Sequence, residues 1–118
     1  MTDTEAKYIL DSEELFKIRV IDLLSLLIEH KQKKINAADY ETFFIGYSKI
    51  VTLNTFYNKP ILLVFECKDE IYFCEFGDDF ITRPTQLING GRVIHIDKSE
   101  CGTGFAKLIE RIREILFL

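Results

Sequence analysis

The chain has 118 residues, 47% of them hydrophobic and including ten Phe and five Tyr, which suffices for one buried core and points to a single domain over 1–118. Charged residues make up 29%, the net charge is -4, and only two Pro and six Gly interrupt the chain, so a largely disordered protein is excluded. An acidic chain without a basic, aromatic-interleaved patch also argues against direct nucleic-acid binding.

The opening MTDTE is polar and acidic, with no basic segment leading into an apolar run, so no secretory signal is expected. Any disorder is expected within residues 1–10. The apolar stretch at 15–28 is broken by Lys17, Arg19, Asp22 and Ser25 and is too polar to span a membrane. Cys67, Cys74 and Cys101 lack C-x-x-C spacing and read as free thiols of a reducing compartment, so a cytoplasmic location is expected.

Asp11 and Glu14 form a capping-box-like start, and Phe16, Val20, Leu23, Leu24 and Leu27 recur at helical spacing. A helix over residues 12–34 is predicted. Leu15, Ile18 and Leu26 fall in its polar sector, leaving it apolar on more than one face. His30, Lys31, Lys33 and Lys34 would then close its last turn, where the helix dipole favours cations without any phosphate ligand.

Two segments rich in Phe, Ile, Val, Tyr and Thr, TFFIGYS and KIVTLNTFY, read as strands. After the NKP turn, residues 61–68 and 71–76 form a predicted hairpin around Asp69-Glu70, with Lys68 facing Ile71 and Cys67 facing Tyr72. This register places Ile61, Leu63, Phe65, Cys67, Tyr72, Cys74 and Phe76 on one apolar face. The other face carries Leu62, Val64, Glu66, Lys68, Ile71, Phe73 and Glu75, half apolar and expected to be covered in part by a helix or a partner.

Asn89-Gly90-Gly91 signals a tight turn before the strand RVIHID. Phe105, Leu108, Ile109, Ile112, Ile115 and Leu116 then follow helical spacing, predicting an amphipathic C-terminal helix. The whole reads as α+β: a mainly antiparallel sheet of about five strands with an N-terminal and a C-terminal helix packed on it.

Three motifs invite a chemical reading. Glu66-Cys67-Lys68 resembles the E-x-K half of the PD-(D/E)xK nucleases, where two acids hold Mg²⁺ and the lysine stabilises charge; the second acid is missing, since residues 42–62 contain none. The KSECGTGF loop has glycines that would suit an anion but no P-loop lysine, and Thr103 as a helix cap with Gly102 and Gly104 easing the turn is the simpler reading. His95 reads as a structural histidine. No catalytic residue, metal or cofactor is assigned.

Electrostatics gives the strongest signal. Glu66, Asp69, Glu70, Glu75, Asp78 and Asp79 set six acids against Lys68 within fourteen residues, a local charge of -5, while the rest of the chain sums to +1. Such a patch either steers a basic partner into contact or serves as a solvated, aggregation-resistant edge. In length, acidity and helix-sheet-helix order, carried by FECKDEIYFCEFGDD and the two flanking helices, the chain resembles the immunity proteins of bacterial toxin systems, including contact-dependent growth inhibition.

That resemblance implies a cytoplasmic inhibitor of a basic toxin domain, one that acts on nucleic acid among the options. Glu66, Asp69, Glu70, Glu75, Asp78 and Asp79 would bind it, with exposed Tyr72 or Phe73 as anchors. A secretion-type chaperone or other acidic adaptor, with Leu15, Ile18 and Leu26 as its homodimer or cargo surface, is the alternative binding protein, and a Mg²⁺-dependent nuclease the alternative enzyme.

Overall fold

A computed structural model of the chain describes residues 20–23, 26–56 and 58–117. In chain order the elements are β1 (Val20–Leu23), β2 (Leu26–Gln32), β3 (Thr42–Gly46), α1 (Tyr47–Phe56), β4 (Ile61–Glu66), β5 (Ile71–Glu75), β6 (Gln86–Ile88), β7 (Gly91–Asp97), β8 (Gly102–Thr103) and α2 (Phe105–Phe117). Short 3-10 turns occupy Ala37–Asp39, Asp78–Thr82 and Lys98–Glu100. The strands form a five-stranded sheet in the order β1-β2-β4-β5-β8 and a three-stranded sheet in the order β3-β7-β6.

The α+β class holds, with corrections. The described part of the predicted 12–34 helix is strand as far as Gln32 and irregular at Lys33 and Lys34: β1 pairs antiparallel with β2, and β2 pairs parallel with β4. The remainder of that predicted helix lies outside the described residues, as do Leu15 and Ile18. Leu26, Leu27 and Ile28 are all fully buried, because an interior strand covered on both faces needs no polar side. Leu26 therefore offers no dimer surface.

The second correction falls on KIVTLNTFY, which is helical as part of α1 as far as Phe56, its last residue lying outside the described ones. Ile50 and Leu53, three residues apart, face the core, and Thr52 Oγ1 donates to the Ser48 carbonyl at 2.9 Å, quenching its hydroxyl within the helix. Docking of that short apolar edge overrides the strand preference of its β-branched residues.

The β4–β5 hairpin forms with its faces as expected and its register shifted by two residues. Glu66 faces Ile71 and Phe65 faces Tyr72, because Cys67 N donates to the Glu70 carbonyl and the turn takes in Cys67 and Lys68. A shift of two preserves the faces.

Ile61, Leu63, Phe65, Cys67 and Cys74, with Tyr72 and Phe76 at the margin, build one core with Phe43, Ile45, Ile94 and Ile96 of the small sheet and Ile50 and Leu53 of α1. Phe43 stacks on Phe65 at 4.8 Å between ring centroids. On the opposite face Leu62, Val64, Ile71 and Phe73 lie under Leu108, Ile109 and Ile112 of α2, the helix that the half-apolar face called for.

The Asn89-Gly90 turn joins β6 to β7 with both residues at positive φ, 49° and 82°, as a two-residue hairpin turn demands. β8 is a strand of two residues that pairs with β5 before the chain swings into α2. Gly102 is required there by close approach: a Cβ would meet Cε2 of Phe73 at 2.7 Å. Gly104 has φ 97° and accepts the first α2 hydrogen bond, from Leu108 N at 3.1 Å.

Candidate functional site

The six acids of the hairpin separate into two groups, one at each end of β5. At the turn end, Asp69 Oδ1 and Oδ2 accept from Ala37 N at 2.6 Å and Ala38 N at 3.1 Å, tying the hairpin to the Ala37–Asp39 turn. The Ala37 hydrogen bond chiefly, with help from Ala38 and Lys98, holds the Asp69 carboxyl below the usual carboxylate range. Glu70 accepts from Ile71 N at 2.9 Å, and Glu66 accepts from Gln32 Nε2 at 3.4 Å with His30 Nε2 also 3.4 Å away.

Cations crowd the same end. Lys98 Nζ donates to the Ala37 carbonyl at 2.8 Å and lies over the Tyr72 ring, while Lys33 Nζ donates to the Phe44 carbonyl at 3.4 Å and lies over the Phe44 ring. Burial foremost, then the charge on Lys31, lowers the Lys33 pKa. Asp69 and Glu70 thus act on the protein's own backbone, at an end of the hairpin that also holds lysines.

The other end of β5 is different. Glu75 pairs with Arg111 of α2, and Arg111 also binds Glu114 at 2.8 Å. Asp79 binds Arg83 at 3.0 Å, Arg83 pairs with Glu100, and its guanidinium lies 4.1 Å from the Phe80 ring centroid. Asp78 is exposed. Glu75 and Glu114 flank Arg111, Asp79 and Glu100 flank Arg83, and with exposed Asp78 the five carboxylates exceed the two guanidiniums by three.

The Arg83 hydrogen bonds chiefly, with the Asp97 backbone N–H, hold the Glu100 carboxyl below its usual range. Glu100 in turn chiefly raises Arg83, and Glu75 chiefly raises Arg111. Between the two clusters opens a cleft of ≈ 350 Å³ lined by Leu62, Phe73, Cys74, Glu75, Glu100, Gly102 and Arg111, where two-residue β8 leaves the end of β5 uncovered.

Tyr72 and Phe73 require a correction. Tyr72 is half-buried against Phe43, with ring centroids 5.2 Å apart, and Phe73 is buried under α2, so neither stands exposed as an anchor. Glu100, Glu114, Arg83 and Arg111 complete the acidic rim and were not among the sequence candidates. The Arg111–Glu114 pair at i, i+3 on the polar side of an amphipathic helix and the Asp79–Arg83 pair at i, i+4 are its readable traces.

Glu29 is 2% exposed and points into the core between the sheets, where Lys49 Nζ of α1 lies 3.5 Å from Oε1; Oε2 has no hydrogen-bond partner among the described residues. By register Glu29 shares its face with Leu63 and not with Glu66, so the two carboxylates stand on opposite sides of the sheet. Among the described residues no group of three or more His, Cys, Asp and Glu side chains is placed to hold a metal ion.

His95 is held by Thr42 Oγ1 at 2.9 Å and by Gln86 Oε1 on its other ring nitrogen, the structural role expected of it. Gly102 and Thr103, weighed as an anion loop, are the pairing residues of β8. No helix among the described residues is long and apolar enough to cross a membrane.

The fold and site together define an α+β domain with an acidic rim around an open cleft. No family model, curated protein sequence or solved structure matches this chain.

Proposed function

We propose that this chain is a small protein-binding domain that engages a basic protein surface through the rim formed by Glu75, Asp78, Asp79, Glu100 and Glu114, the reading that suits an immunity-type inhibitor of a basic toxin domain. The observation that supports it is the asymmetry of the two ends of β5. At the turn end Asp69 and Glu70 hold the protein's own backbone among lysines, whereas at the cleft end carboxylates outnumber cations and Asp78 and Asp79 project from the surface.

Arginines embedded in such a rim hold the carboxylates in fixed positions, which limits the side-chain entropy lost on docking. A partner's lysines or arginines would meet an ordered negative surface, with the benefit falling mainly on the association rate.

The test is capture from the native cytosol at low salt by the tagged protein, then association kinetics with the species recovered. Asp78→Lys with Asp79→Lys is expected to slow association by at least tenfold. Asp39→Lys with Glu41→Lys, the same charge change placed on and beside the Ala37–Asp39 turn, is expected to slow it far less. Equal effects of the two double variants would reduce the rim to a contribution to net charge, and recovery of no stoichiometric basic partner would remove the reading.

A further inference from the structure

Cys74 and Cys101 are far apart in sequence and adjacent in the fold. Tyr72 pairs with Thr103 and Phe73 with Gly102, so one more step along the antiparallel pair sets Cys74 opposite Cys101. Cys101 continues the strand in conformation, with φ -107° and ψ 147°. Gly104 N donates to the Ile71 carbonyl at 3.1 Å, which makes Ile71–Gly104 and then Phe73–Gly102 the hydrogen-bonded pairs of the ladder.

Cys74 and Cys101 therefore occupy a non-hydrogen-bonded position, where Cα atoms approach to about 4.5 Å and side chains are closest. That separation falls within the range a disulfide spans. Both side chains lie on the same side of the sheet, Cys74 in the inter-sheet core and Cys101 packed at its margin.

We infer that Cys74 and Cys101 form a reversible disulfide, a redox-closed clasp between β5 and the segment leading into α2, reached by small oxidants through the cleft that Cys74 lines. In the present structure both are thiols. Cys101 Sγ lies 3.7 Å from the Asp97 carbonyl oxygen and shares a side-chain hydrogen bond with the Cys74 thiol. The hydrogen bond between the two thiols chiefly lowers the Cys101 pKa and, with burial, raises that of Cys74, so Cys101 ionises first. Cys101 is also the more accessible of the two.

With a low-molecular-weight disulfide as oxidant, the Cys101 thiolate attacks one of its sulfurs and expels a thiolate. Cys74, its proton released to solvent, attacks Cys101 Sγ in the mixed disulfide and expels the second. The two cysteines lose two electrons and two protons, and the oxidant leaves as two thiols. In a reducing compartment the clasp stays open.

The experiment is incubation of the full folded chain with oxidised glutathione, followed by thiol counting and tryptic peptide mapping. Two of the three thiols should disappear without stable glutathione addition, and the peptide 69–92 carrying Cys74 should be linked to 99–107 carrying Cys101. Dithiothreitol should restore all three. Cys67→Ser should close as readily, Cys74→Ser should trap glutathione on Cys101, and Cys101→Ser should keep Cys74 as a thiol. Stable glutathionylation of Cys101 in the unaltered chain, a bridge through Cys67, a bridge between two chains, or three thiols left unreacted would each overturn the inference.

Discussion

The substitution Gly102→Ala tests whether β8 is held against β5 by direct contact with Phe73. A Cβ at 102 would lie 2.7 Å from Cε2 and 3.0 Å from Cε1 of that ring, with Cζ nearer still. The ring has little room to retreat, since Phe73 is 8% exposed and packed beneath Leu108, Ile109 and Ile112. Overpacking of this kind costs about 1–3 kcal/mol. For 118 residues the unfolding entropy is about 0.25 kcal/mol per degree, so a loss of about 2 kcal/mol lowers Tm by about 8 °C.

Phe73→Leu removes the clashing ring atoms at a cost of its own, about 1–2 kcal/mol in lost burial. The double variant should be more stable than the sum of the singles by about 1 kcal/mol or more, because the two groups compete for one space. Thermal and urea unfolding of the four proteins closes the cycle. A Gly102→Ala protein that melts with the unaltered chain, or strict additivity with Phe73→Leu, would refute the packing argument.

The buried Glu29 carboxylate has Lys49 as its cation, so Lys49→Met should destabilise by about 1–3 kcal/mol, the range for stranding a buried polar or charged group when its partner is partly exposed. Glu29→Gln should recover most of that loss in the double variant, and urea midpoints that show no recovery would mean Lys49 acts through packing alone. Glu100, depressed in pKa chiefly by Arg83, contributes stability that is fully present above its ordinary value of 4.5 and is lost as pH falls through the lower folded value. Glu100→Gln should therefore flatten the acid limb of a stability-against-pH curve below that point; an unchanged limb would assign it to other carboxylates.

The parts legible in the sequence are those in which a single periodicity coincides with a single buried face. α2 is one, because Leu108, Ile109 and Ile112 face the sheet and the polar residues between them do not. The β4–β5 hairpin is another: alternation sorts its residues between two cores for any even shift of register, so a turn two residues longer than expected left the faces intact. The Asn89-Gly90 turn is legible because its backbone angles restrict the residues that can adopt them.

Only the tertiary structure decided the rest. The run Leu26-Leu27-Ile28 is apolar at every position, and in a segment that short neither helical nor strand spacing can be distinguished; pairing with β1 and β4 settles it as an interior strand. α1 has a strand-like composition and is helical because Ile50 and Leu53 find the core from there. The acidic run is continuous in sequence and divided in space, since β5 carries its acids to opposite ends. Long-range pairing then sets Arg83 beside Glu100 and Arg111 beside Glu75 and brings Cys101 beside Cys74, placements that local spacing does not encode.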